Sequence, residues 1–127
     1  MGRYLEKAKA VRENPMYNCC QAMLLAFTDQ LGIDEQTAIK LGANFGGGMK
    51  CGSTCGAVSG CLMIMGLLGI DSPAAVQDFI KEFKNSHGGM INCSELLKAN
   101  ALSGGTKKVH CDNLVFFAAE YLEKILK

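Results

Sequence analysis

The chain has 127 residues, of which 49% are hydrophobic and 20% charged, with a formal net charge of +1; that is enough for a single domain over 1–127 with a real core, and its near-neutral balance offers no electrostatic footprint for nucleic acid. The longest apolar run, "CLMIMGLLGI" at 61–70, ends at Asp71, well short of the about 20 residues a membrane span takes, so membrane insertion is not expected. The opening "MGRYLEKAKAVREN" alternates charge with apolar positions and lacks the apolar core of a secretory signal, so a cytoplasmic location is expected.

No segment alternates polar and apolar residues between hairpin turns, whereas several repeat apolar residues at helical spacing. The expectation is an all-α, compact bundle of six or seven helices. A first helix covers Tyr4 to Glu13, and "NP" at 14–15 turns the chain, because the residue before proline avoids helical torsions. The next starts near Met16 to Asn18 and stops at Gly32, with Cys20, Met23, Leu24, Phe27 and Leu31 on one face. Asp34 caps a third helix that runs to about Asn44, after which "FGGGMKCGS" reads as a loop. Ser53 or Thr54 caps a fourth, ending at Gly69. In "DSPAAVQDFIKEFKNSHGG" Asp71 or Ser72 caps, Pro73 sits in the first turn, and Gly88 and Gly89 end the helix. A short helix follows over Cys93 to Ala99, and after the polar "LSGGTKK" Asp112 opens the last one.

Seven cysteines are the outlying feature, and without a secretory signal a disulfide framework is the weaker explanation. On the map above, Cys19, Cys55, Cys93 and Cys111 fall at or near helix N-termini, and Cys51 precedes one. Unpaired N–H groups and the helix dipole favour negative charge there, so these thiols are expected to ionise readily, as a nucleophile or a metal ligand must. Cys20 and Cys61 face predicted core. Gly56 and Gly60 leave one side of the fourth helix bare, a pattern that suits close helix packing or the approach of a substrate. His110 is a candidate ligand or base beside Cys111, while His87 fits a helix C-terminus. "FGGGMK" lacks the preceding strand and the GK[ST] ending of a phosphate loop.

With those residues placed, "YNCCQAMLLAF", "FGGGM" followed by "CGAVSG", "INCSEL" and "HCDNLVFFAAEYL" stand in the order of the redox-active family labelled C_GCAxxG_C_C, which the chain resembles over nearly its whole length. The label reads Gly-Cys-Ala where this chain has Cys-Gly-Ala at 55–57. The resemblance implies a mainly helical protein with redox activity, sometimes encoded near transporters. It also implies that the four characteristic cysteines are Cys19, Cys55, Cys93 and Cys111, with Cys20, Cys51 and Cys61 additional.

Three readings of the thiols follow. In the first, a thiol/disulfide oxidoreductase, a thiolate at Cys55 attacks a disulfide or oxidant and Cys51, Cys93 or Cys111 resolves the mixed species; this needs no cofactor. In the second, Cys19, Cys55, Cys93 and Cys111 bind zinc, as a structural site, or an iron–sulfur cluster, as an electron-transfer protein. In the third, a helical interaction module or homo-oligomer, the cysteines only fill space, as free cysteine often does. The partner expected for the first is a redox protein, a small thiol or an oxidant.

Overall fold

Side-chain caps at Asn18, Asp34 and Ser72 set the starts of three helices in the computed structural model, which describes residues 2–126. The helices are α1 (Arg3–Arg12), α2 (Cys19–Ala26), α3 (Thr28–Leu31), α4 (Glu35–Gly42), α5 (Gly56–Leu67), α6 (Pro73–Ser86), α7 (Cys93–Leu102) and α8 (Lys107–Ile125), with a π turn over Gly48–Gly52 between α4 and α5. Among the described residues the only β pairing is an isolated bridge between Thr54 and Asn92. None of the helices is long and apolar enough to cross a membrane.

The hub is α2. Cys20, Gln21, Ala22, Met23, Leu24 and Ala26 are all buried, because α1, α4, α5 and α8 surround it. Gln21 is the one buried polar residue among the described residues, and its groups are satisfied in place. Asn18 and Gln21 form a reciprocal capping box, and the Gln21 Nε2 donates to the Ile39 carbonyl at 2.9 Å. Against α2 lies the glycine side of α5: a Cβ at Gly60 would stand 2.8 Å from the Met23 Cβ, and one at Gly56 3.0 Å from the Cys20 nitrogen. Close helix packing therefore accounts for this stripe. Cys20 and Cys61 are fully buried, and burial pushes the Cys20 thiol up to about 12 and raises that of Cys61 as well. Both fill core, as their helical spacing predicts.

Two further contacts close the bundle. Phe79 and Phe83 project from one face of α6 and meet α8, with Phe79 at 5.0 Å from the Tyr121 ring and Phe83 edge-on to Phe117 at 5.8 Å. Glu123 of α8 accepts the backbone N–H groups of Tyr4 and Leu5, which are orphan donors in the first turn of α1.

Several expectations are met. Gly32 stops its helix in the left-handed conformation, Asp34 accepts the Thr37 N–H, Ser72 accepts that of Ala75, and Gly88 and Gly89 have positive φ. Others need correction. The expected six or seven helices become eight and a π turn among the described residues, for two reasons. The second predicted helix breaks at Phe27 (φ −114°, ψ 14°), where the ring turns inward to stack on Tyr4 at 4.5 Å. The glycine-rich stretch, read as a loop, winds into a turn of its own. Ser53 and Thr54 do not cap α5, because their backbone is engaged with residues 91–93, and Cys55 becomes the N-cap. The last helix opens at Lys107, after Thr106, and not at Asp112, whose carboxylate is taken by Arg12 and Lys108.

Candidate functional site

Three chain segments and one helix face bring four thiols to one recess. The Asn18 capping box fixes the first turn of α2 and with it Cys19. Cys55 and Cys93 are tied together through short extended stubs: the Cys55 N–H donates to the Ile91 carbonyl at 2.8 Å and the Cys93 N–H to the Ser53 carbonyl at 2.6 Å. The π turn braces both stubs. Gly48 has φ +66°, and a Cβ there would lie 2.3 Å from the Ser53 oxygen and 2.8 Å from the Cys93 Cβ, so only glycine fits. Cys111 arrives from the second turn of α8, which Arg12 anchors to α1 by a 2.6 Å bond to Asp112.

Cys19, Cys55, Cys93 and Cys111 all line a cavity of about 240 Å³. Arg12, Lys107 and His110 complete its polar wall, and Leu96, Leu97 and Leu114 supply apolar surface. Cys51 is not brought to them. It is exposed on the π turn, with its thiol 3.5 Å from the Gly48 carbonyl.

Electrostatics then separate the four. The N–H groups of Ala57 and Val58 favour a Cys55 thiolate, but burial outweighs them and holds the thiol up at about 11. Burial, followed by the nearby Cys111, raises Cys93. Cys19 is raised well above its ordinary value by the neighbouring Cys111 thiol and by burial. The same proximity works in the opposite sense on Cys111, which comes down to about 7, with Arg12 and Lys107 assisting against burial. The expectation that helix N-termini ionise these sulfurs is thus corrected. Cys55 and Cys93 are raised because they are desolvated, Cys19 chiefly because Cys111 stands beside it, and the lowered sulfur lies inside a helix, beside a thiol and two cations.

His110 is held below the usual imidazole range by burial and by His87, so it is neutral at neutral pH. Its Nε2 is buried with no hydrogen-bond partner. His87 caps the C-terminus of α6, its Nδ1 2.6 Å from the Phe83 carbonyl. Among the described residues no group of three or more His, Cys, Asp or Glu side chains is arranged to hold a metal ion. Arg12 escaped the sequence reading, because a lone arginine in the last turn of an amphipathic helix looks like solvated surface. Lys107 was visible only as half of a short basic pair.

The Arg12–Asp112 pair is mostly buried, at 12% and 17% exposure. Burial resists ionisation of Asp112, and the hydrogen bonds from Lys108 and Arg12 prevail, keeping its carboxyl below the ordinary range. An Arg12→Leu variant is expected to lose about 2 kcal/mol of stability, less than a fully orphaned buried charge because Lys108 remains. It should also shift the pH midpoint of Cys111 alkylation upward from about 7. An unmoved midpoint would show that the guanidinium does not act on this sulfur.

The fold and the cavity define an all-α protein built around a cluster of thiols. The chain belongs to the family described as "Putative redox-active protein (C_GCAxxG_C_C)", whose model matches residues 17–125. All four cavity cysteines fall inside that match. Comparison with curated proteins found no match, and comparison with solved structures found none either.

Proposed function

We propose that the protein is a thiol/disulfide redox protein in which Cys111 is the attacking sulfur and Cys19 the resolving one. The observation that carries this reading is that Cys19 and Cys111 line the same cavity, where the neighbouring thiol and two cations favour a Cys111 thiolate; membership of a redox-active family supports it. A thiol with its pKa near ambient pH is the best attacking group, since a lower value weakens the nucleophile and a higher one empties the thiolate. Cys111 meets that condition.

The chemistry balances with a disulfide as oxidant. The Cys111 thiolate attacks one sulfur of RS–SR, a Cys111–S–S–R bond forms, and RS⁻ leaves. Cys19 then passes its proton to the departing thiolate and attacks the Cys111 sulfur. The second RS⁻ leaves as the Cys19–Cys111 bond forms. Two protein thiols are oxidised and one disulfide is reduced to two thiols. Cys55 and Cys93 keep their protons beside this exchange.

Purified without oxygen and treated with one equivalent of a small disulfide, the protein is expected to lose two hydrogens by intact mass, reversibly, with the link mapped to Cys19 and Cys111. Oxidation confined to Cys51 with both cavity thiols still free would overturn the proposal. So would a stoichiometric metal in the same preparation that protects all four cavity thiols.

A further inference from the structure

We infer that the substrate of this dithiol is a small disulfide bearing an anionic group, held by Lys107 and Arg12; this deepens the function proposed above and rests on it. Three observations point the same way. No Asp or Glu lines the cavity, whereas Arg12 and Lys107 do. Lys107 has no hydrogen-bond or ion-pair partner among the described residues, in contrast to its neighbour Lys108, which bonds Asp112 and the Arg12 carbonyl. Arg12 uses Nε on Asp112 and Nη1 on the Tyr17 carbonyl, which leaves Nη2 for a ligand.

Asp112 neutralises one positive charge nearby, but Lys108 shares that carboxylate, so the balance over Arg12, Lys107, Lys108 and Asp112 is two positive charges. A cavity of about 240 Å³ is below the usual span for drug-sized ligands, roughly 300–1,000 Å³, and suits a molecule of a few heavy atoms around its S–S bond. Cationic walls in a recess raise the local concentration of an anion and its rate of encounter. They also lower Cys111, so one set of charges recruits the substrate and readies the sulfur.

The test compares three disulfides of similar size, anionic 3,3′-dithiodipropionate, neutral 2-hydroxyethyl disulfide and cationic cystamine, by the rate at which each produces the Cys19–Cys111 bond at neutral pH and low salt. The anionic probe is expected to react roughly tenfold faster than the neutral one and the cationic probe slowest. In Lys107→Gln the anionic-to-neutral ratio should fall toward one. The ratio is the readout because Lys107 also lowers Cys111, an effect common to all probes that cancels. A wild-type ratio at or below one, or a ratio that Lys107→Gln leaves unchanged, overturns this inference while the dithiol chemistry stands. Failure of all three probes to form the bond overturns both.

Discussion

Replacing Cys111 by serine is expected to slow alkylation of the cavity thiols at neutral pH by roughly a hundredfold. With its pKa at about 7, Cys111 is about half ionised there, whereas a thiol near 11, as Cys55 is, is ionised about one part in ten thousand. The more basic thiolate is the better nucleophile and recovers about two of those four decades, given a Brønsted slope of about 0.4–0.5. Two decades remain. Cys51 is exposed and reacts independently, so wild type and variant are compared in a Cys51→Ser background with iodoacetamide and peptide mapping. The wild-type profile should rise through about pH 7 and the variant's only at strongly alkaline pH. Equal rates at neutral pH would show that the neighbouring Cys19 and the two cations do not ionise this sulfur.

The second large effect is on stability. Gly48→Ala is expected to cost about 3 kcal/mol, of which about 1–2 kcal/mol is the left-handed conformation and the rest a collision with the Ser53 backbone that no side-chain rotation relieves. Gly47 supplies the control. Its φ is +62° but a Cβ there meets nothing within 4 Å, so Gly47→Ala should lose only the conformational part. Urea unfolding of the two variants separates strain from collision. Equal losses would mean that Ser53 and Cys93 yield to the added methyl group, and that the π turn does not brace the cavity.

Much of this molecule was legible before any coordinates. Pro73 with Ser72, and Gly88 with Gly89, bound α6 because local torsion and capping decide such positions whatever packs around them. The core role of Cys20 and Cys61 followed from helical period alone. The gathering of Cys19, Cys55, Cys93 and Cys111 was expected both from helix starts and from the family resemblance, and the cavity contains all four. Their order of acidity was not legible. Desolvation depends on what packs over a sulfur, and the lowered value of Cys111 needs a thiol from α2 and a guanidinium from α1, neither of which is a neighbour in sequence. The start of α8 was misplaced for a related reason. Asp112 is a strong capping residue by type, but here a partner on α1 claims its carboxylate, and Thr106 starts the helix instead.

The bond from Glu123 to the amino end of α1 sets an order of events on the ribosome. Cys19, Cys55 and Cys93 emerge well before α8, the helix that carries Cys111 and closes onto the start of the chain. A nascent or truncated polypeptide therefore presents Cys19, Cys55 and Cys93 without Cys111 and without the helix that completes the cavity around them.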